Sequence, residues 1–366
     1  MQTRAMSEEP LSREELKHEY HKLIAKRLIL IAVGVIGIIV FVGLFSLAVY
    51  PGVSLSESYV IIWNHIMGNA YTPRSLEWWA DRYIWNTAIP HALAAIIAGA
   101  GLAICGSLMQ ALMSNPLADP YSTGISSGAC FGAVASIVVG TAFSTFSGTY
   151  GTVFSAFVGA MVPTAIIIIL ADRIRMTPAT LILMGTAISY FFNSMITYLM
   201  ISTDADTLKN AYLWQIGHLD GMSWDQIFPM FVVTLIGSLF VIFMTNKLNV
   251  ISLGDNSAKS LGLDVRKFRI ISLAIMSVMT AGIISFTGII GFVGLVSPHI
   301  VRLVIGSDNK FVVPLSMILG SLLLLIADYM AYQLSGIPVG VIMSLIGSPV
   351  FFLLIVFQSK RTGAVY

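Results

Sequence analysis

The chain has 366 residues, of which 57% are hydrophobic and only 10% are charged, with a formal net charge of +2. No soluble domain could bury so much apolar surface, so this composition excludes a water-soluble protein and indicates an all-α, polytopic membrane protein. The net charge says little by itself, and the distribution of the basic residues is more informative. We expect the lipid bilayer as its surroundings and no nucleic acid among its partners.

Apolar runs of roughly 20 residues can cross a bilayer as helices, and the sequence predicts ten of them. A tail of residues 1–27 precedes them, with a capping box that predicts a short amphipathic helix over residues 12–27. The transmembrane domain covers residues 28–358, and a second tail covers residues 359–366. The predicted spans are residues 28–50, 90–112, 123–143, 151–171, 178–201, 227–246, 270–286, 289–305, 311–332 and 339–357.

The basic residues predict the orientation of these spans. With the N-terminus inside the cell, ten spans place both termini in the cytoplasm together with a polar, basic loop of residues 247–269. Seventeen of the 20 Lys and Arg residues then lie on the cytoplasmic side, where membrane proteins are enriched in them. Only Arg74, Arg82 and Lys209 remain outside. We therefore expect a multi-pass protein of the plasma or inner membrane.

The loop of residues 247–269 also carries helix signals. Asp255 is a suitable N-cap for a short helix, and Gly262 can end that helix in a left-handed conformation. Asp264 can then cap the helix that carries Arg266 to Arg269 into the next span, near the inner surface of the membrane. A membrane protein that folds its longest basic loop in this way is expected to present it to a partner.

The sequence offers little catalytic or ion-carrying chemistry. The spans are poor in ionisable residues, and Asp328 is the clearest case. Ion-coupled transporters more often have such residues within their spans, so an ion gradient is not the expected energy source. There is no phosphate-binding GxxxxGK[ST] loop, the six histidines are scattered, and no nucleophile lies beside a base. Cys105 and Cys130 have small neighbours typical of packing positions. We expect no enzyme, no metal site and no cofactor bound by this chain.

Small residues recur at helix-packing spacing in three places, which predicts close approach of helix backbones. The last set can face either this chain or a second copy of it. The three sets are Gly99 with Ala103 and Ser107, Gly128 with Gly132 and Ser136, and Gly340 with Ser344 and Ser348.

Several segments together resemble the permeases of ATP-binding cassette (ABC) importers for iron-siderophore complexes, haem and vitamin B12. The similar segments are GAGLAICGSLMQ, NPLADP, GISSGA, SLGDNSAKSLGLDV, GIIGFVGLVSPHIVR and IPVGVIMSLIGSPVFF, between residues 90 and 357. The resemblance implies the type II importer fold, with ten helices per subunit and a homodimer between whose copies the substrate crosses. It also implies two cytoplasmic subunits that bind and hydrolyse ATP, and an extracytoplasmic substrate-binding protein.

The resemblance assigns roles to particular residues. Coupling to the ATPase falls on Leu253, Gly254, Ser257, Ala258, Leu261, Gly262 and Leu263, and the cytoplasmic gate falls on Asn115, Pro116, Leu117, Thr177, Pro178 and Ala179. The family's Arg-Leu-Pro-Arg element, which contacts the binding protein, is replaced here by residues 88–91, and its arginine late in the ninth span by Tyr332. Candidates for docking the binding protein are then Arg74, Arg82, His91 and Lys209.

The predicted function is therefore that of the permease subunit of an importer for a metal chelate. An iron-siderophore complex is the first candidate, and cobalamin, haem or molybdate are alternatives. A different class, an ion-coupled secondary transporter that depends on Asp328, is the competing hypothesis.

Overall fold

The computed structural model describes residues 13–140, 149–171, 173–174 and 176–362. These residues form α-helices joined by short connections, with no strand in the described ranges. The helices are α1 (Arg13–Val49), α2 (Leu55–Ile66), α3 (Leu76–Tyr83), α4 (Ile89–Leu112), α5 (Ile125–Val139), α6 (Thr149–Leu170), α7 (Pro178–Ile201), α8 (Ala205–Ile216), α9 (Trp224–Phe243), α10 (Thr245–Ile251), α11 (Asp255–Ser260), α12 (Val265–Thr287), α13 (Val293–Ile305), α14 (Asn309–Gln333) and α15 (Val339–Thr362).

Helix α4 is the central helix of the bundle. Its side chains are almost all buried, and it packs against α9, α12, α13 and α14. A π-helical turn, Ile84–Ala88, joins it to α3 without a break, directly before Pro90, whose ring nitrogen cannot donate a hydrogen bond. A helix that is apolar on all faces is stable only when surrounded by other helices, which explains its central position.

The structure confirms an all-helical chain with multiple apolar spans. Eight helices in the described ranges are long and apolar enough to cross a membrane. The third and eighth predicted spans correspond to shorter apolar helices, α5 with 15 residues and α13 with 13 residues. The end of the third predicted span, residues 141–143, lies outside the described residues. The count of ten spans therefore stays a prediction.

The first helix is longer than predicted. Helix α1 runs from Arg13 to Val49 without interruption, so the helical part of the N-terminal tail continues directly into the first apolar span. Ser12, the predicted cap of a separate amphipathic helix, lies outside the described residues. Large apolar side chains along the middle of α1, such as Leu28 and Ile36, are about 60% exposed, as expected for a helix that faces lipid.

The eighth predicted span begins later than the sequence suggested. Helix α12 ends at Thr287, and Gly288 has a positive φ of 66°. The chain resumes helical structure only at Val293, after Phe292 with φ 67°. Close contact with the end of α8 fixes this turn, because Thr287 accepts a hydrogen bond from the His218 backbone at 2.9 Å. The predicted boundary between the seventh and eighth spans, at residues 287–288, coincides with the start of this break. The apolar pattern could not reveal the length of the break, since glycine-rich turns and helices are equally apolar here.

The small residues do allow close helix contacts. A Cβ atom added to Gly99 would meet the backbone of Gly320 in α14, and one added to Gly128 would meet the backbone of Gly159 in α6. In the third set, Gly340 lies against the carbonyl group of Ile216 at the end of α8. All three sets therefore contain a glycine that packs within this chain.

Candidate functional site

The loop of residues 247–269 lies at one end of the bundle, which we call the loop end. It contains most of α10, all of α11 and the first turn of α12. As predicted, Gly262 adopts a positive φ of 83°, and the Asp264 side chain caps α12 by accepting a hydrogen bond from the Lys267 backbone at 3.1 Å. That backbone donor holds the pKa of Asp264 below its usual value.

The prediction that Asp255 caps α11 is wrong. Gly254, with φ 93°, occupies the N-cap position instead, and Asp255 is the first residue of the helix. The Asp255 carboxylate accepts two hydrogen bonds from the guanidinium group of Arg269, at 2.7 and 3.1 Å. The Arg269 side chain, expected to anchor α12 near the inner surface of the membrane, is only 1% exposed and lies inside the protein. The sequence favoured Asp255 over Gly254 as the N-cap because Asp is common at caps, but Asp is also a common ion-pair partner, which is its role here.

The predicted coupling residues divide into an exposed and a buried set. Leu253 and Leu261 are 63% and 64% exposed, and Ser257 and Gly262 are also exposed. Ala258 is fully buried, and the backbone of Leu263 donates a hydrogen bond to its carbonyl oxygen at 3.0 Å. Leu263 and Gly254 are half-buried. The loop is thus attached through one face and presents two large apolar side chains outward.

The first predicted gate segment is the turn that follows α4. Asn115 organises it, because its side-chain oxygen accepts a hydrogen bond from the Leu117 backbone at 2.9 Å. Two other elements hold the turn. Ser114 donates to the carbonyl oxygen of Ile251, the last residue of α10, at 3.3 Å, and His299 of α13 lies 3.3 Å from the carbonyl oxygen of Pro116.

The second predicted gate segment begins α7 at the same end of the bundle. Thr177 is the N-cap, and its hydroxyl oxygen accepts a hydrogen bond from the Thr180 backbone at 3.2 Å. Pro178 occupies the first turn, where its missing N–H costs no hydrogen bond. Thr177 and Ala179 are exposed. The carbonyl oxygen of the preceding residue, Met176, accepts a hydrogen bond from Arg269.

The structure therefore brings the coupling loop and both gate segments together at the loop end. Arg269, which sequence reasoning treated as a surface anchor, bonds to Asp255 of the loop and to the carbonyl oxygens of Leu112 and Met176, which precede the two gate segments. A second arginine missed by the sequence reasoning is Arg302, which donates to Gln110 of α4 at 3.3 Å and to Asn309 of α14 at 2.9 Å. The only available signal for either residue was a charge adjoining an apolar run, and that signal does not distinguish a buried position from a surface one.

The predicted docking residues lie at the opposite end of the bundle. Arg74, Arg82 and Lys209 are exposed, and the Arg82 guanidinium lies 4.2 Å from the ring centre of Trp78. His91 does not belong with them, because it is 4% exposed and stacks on Phe45. A buried imidazole in this position cannot reach a partner at the surface, so we withdraw it from this set.

His91 instead connects two acidic residues. Its Nδ1 atom lies 3.0 Å from the carboxylate of Asp328, which is 2% exposed, and its Nε2 atom lies 3.6 Å from the carboxylate of Asp220. The nearby imidazole holds the pKa of Asp220, in the connection between α8 and α9, below its usual value. The sequence identified Asp328 as unusual but could not reveal its partner, which is 237 residues away.

Comparison with known proteins gives consistent matches over most of the chain. The model of the family described as the FecCD transport family matches residues 45–357. The vitamin B12 import system permease protein of Vibrio cholerae is 31% identical over 280 residues, which cover 75% of this chain and 83% of that protein. The Fe(3+)-citrate import system permease protein of Bacillus subtilis is 33% identical over 269 residues, which cover 73% of this chain and 79% of that protein.

A solved structure shares the architecture. It is an inward-facing conformation of an ABC transporter of the metal-chelate type, with a TM-score of 0.71 and 25% sequence identity. The match covers 84% of this chain and 99% of that one.

Proposed function

Because the chain belongs to the FecCD transport family, we propose that it is the permease subunit of an ABC importer that carries a metal chelate across the membrane. The observation that carries this proposal is the family match over residues 45–357, nearly the whole membrane domain. An iron-siderophore complex is the first candidate substrate, and cobalamin, haem and molybdate are the alternatives.

The proposed assembly contains two copies of this chain, two cytoplasmic ATPase subunits and one extracytoplasmic binding protein. The loop end faces the cytoplasm in this proposal, in agreement with the positive-inside distribution of Lys and Arg. Both termini then lie in the cytoplasm. The opposite end, with Arg74, Arg82 and Lys209 exposed, faces the binding protein.

In the proposed mechanism, ATP is bound and hydrolysed by the partner subunits and not by this chain. Leu253 and Leu261 provide the exposed apolar contacts for the ATPase, while Ala258 and Leu263 attach the loop to the bundle. Movement of the docked loop opens and closes the gate formed by residues 115–117 and 177–179. The substrate crosses between the two copies of the chain.

The competing hypothesis, an ion-coupled secondary transporter, has no support in the comparisons. Asp328, the residue on which it depended, is buried and paired with His91 in the described structure. An ion carrier must bind and release its ion in contact with water, and a paired carboxylate that is 2% exposed does not offer such contact in this conformation.

Reconstitution tests the proposal directly. The chain is placed in proteoliposomes alone or with its ATPase and binding protein, and uptake of labelled ferric siderophore, haemin and cobalamin is measured. We expect uptake only in the complete assembly and only with ATP, for the compound that the binding protein retains. Uptake by the chain alone, driven by an ion gradient, would overturn the proposal.

A further inference from the structure

Arg269 joins three segments that are far apart in the sequence. Its guanidinium group forms a bidentate ion pair with Asp255 at the start of α11, with N···O distances of 2.7 and 3.1 Å. The same group donates to the carbonyl oxygen of Leu112 at 3.3 Å and to the carbonyl oxygen of Met176. One side chain therefore contacts the loop of residues 247–269, the end of α4 and the residue that precedes the N-cap of α7.

The two carbonyl oxygens lie directly beside the gate segments. Leu112 is the last residue of α4, and the gate turn at Asn115 follows it. Carbonyl groups in the last turn of a helix lack hydrogen-bond partners within the helix. Arg269 provides such a partner for the carbonyl oxygen of Leu112. Met176 immediately precedes Thr177, the N-cap of α7. A displacement of the guanidinium group would thus act on the backbone of both gate segments.

The two partners of the ion pair differ in their surroundings. The Arg269 side chain is 1% exposed, whereas that of Asp255 is 33% exposed and belongs to the loop. Asp255 is the carboxylate that pairs with Arg269 in the described part of the chain. A buried guanidinium without a counter-ion is strongly unfavourable, so the loop cannot move away from Arg269 without moving it or exposing it to water.

The surroundings leave space for such a movement. A cavity of about 770 Å³ lies between the loop and the segment that leads into α7, and Asp255, Arg269, Met176 and Thr177 contribute to its walls. The planar guanidinium group can bond to several partners in fixed directions, which a lysine at the same position could not reproduce.

We propose that Arg269 is the positioning residue that transmits movement of the docking loop to both gate segments, with Asp255 as its connection to the loop. This inference rests on the proposed function, because it assumes that an ATPase moves the loop. Exposure identifies Leu253 and Leu261 as contacts for the ATPase. The inference adds that Arg269 and Asp255 transmit the movement of the loop.

The test uses the complete importer with Asp255→Asn or Arg269→Lys in this chain. Asp255→Asn removes the charge at a partly exposed position, and Arg269→Lys keeps the charge but loses the fork of donors. Lys267→Gln is the matched control, because Lys267 lies on the same turn and its side chain is 82% exposed. Assembly, ATP hydrolysis and uptake are measured, together with the thiol reactivity of a Leu117→Cys reporter with and without ATP.

We expect both variants to assemble and to hydrolyse ATP at about the wild-type rate, while uptake per ATP falls about tenfold, a typical coupling energy between two sites. The ATP-dependent change in reactivity at position 117 should disappear in both variants and persist in Lys267→Gln. If Arg269→Lys does not fold, Asp255→Asn provides the same readouts.

Normal uptake per ATP and a preserved reactivity change in Asp255→Asn would overturn the transmission role. Loss of assembly in Asp255→Asn would also overturn it, because the pair would then serve folding or docking. The wild-type protein separates this inference from the proposed function: if the wild-type assembly shows no ATP-driven uptake, the proposed function fails, whereas normal wild-type uptake with unaffected variants contradicts the inference alone.

Discussion

His91 shows how the meaning of a single residue depends on its burial. In the sequence it replaces a cation that the family uses at the outer surface, and its position suggested a weak docking role. In the structure it lies between the carboxylates of Asp328 and Asp220 and stacks on Phe45 at a ring distance of 5.1 Å. Its structural role is to provide a partner for Asp328, a carboxylate that would otherwise be buried alone.

Replacing His91 by Ala should therefore destabilise the subunit more than the same change at a comparable exposed site. We expect the free energy of unfolding to fall by about 1–3 kcal/mol, the usual cost of a buried polar group without a partner. His65→Ala is the control, since His65 also pairs with a carboxylate, Asp81 at 2.7 Å, and stacks on Trp85.

The His65 pair is more exposed, with side chains 33% and 17% exposed, so its removal should cost less than about 1 kcal/mol. Unfolding of the purified subunit in detergent measures both variants. Equal losses for His91→Ala and His65→Ala would show that burial of the His91 pair is not what matters.

At the scale of the element, the sequence predicted where helices occur better than how they meet. Long apolar runs located the apolar helices but not the short helices α2, α3 and α8, and Gly262 and Asp264 were correctly placed in the loop. The break between α12 and α13 was predicted at residues 287–288 but extends to Phe292, because contact with the end of α8 rather than a local signal fixes it. The partners of the small residues were also not predictable, since spacing identifies a packing face but not the helix that packs on it.

Gly106 offers the clearest test of these close contacts. A Cβ atom on Gly106 of α4 would collide with the backbone carbonyl group of Gly294 in α13, so the helices could not keep their present separation. We expect Gly106→Ala to lower the free energy of unfolding by about 1–3 kcal/mol, as is typical of overpacking. The thermal unfolding of the purified subunit provides the measurement.

Gly291 is the matched control for this change. It belongs to the same glycine-rich stretch as Gly294, but an added Cβ atom meets no atom within 4 Å. Gly291→Ala should therefore change stability by less than about 0.5 kcal/mol. If both alanine variants unfold alike, close contact between α4 and α13 does not limit the stability of the bundle.

At the scale of the whole molecule, the family and the all-helical architecture with multiple apolar spans could be predicted, because both depend on composition and on motifs within single segments. The way in which separate segments meet at the loop end could not be predicted. Leu112, Met176 and Asp255 meet at Arg269 through the packing of α4, α7 and α11, and no local pattern in the sequence indicates that they meet. The same packing leaves Leu253 and Leu261 exposed beside this cluster.

Those two leucines allow a test of assembly that spares the fold. We expect Leu253→Glu with Leu261→Glu to abolish copurification of the ATPase, because two carboxylates would have to be buried in the interface without partners. Both side chains are more than 60% exposed, so the isolated subunit should unfold as the wild type does. Gly262 is left unchanged, since its φ of 83° would strain any side chain and would confuse a docking defect with a folding defect.

Leu334→Glu is the control for the change in chemistry, because Leu334 is 51% exposed at the opposite end of the bundle. This variant should retain the ATPase. Retention of the ATPase by the variant with both loop leucines replaced would show that the exposed leucines do not form the docking surface. Loss of the ATPase from both variants would point to a general effect of added negative charge, since the altered residues lie at opposite ends of the molecule.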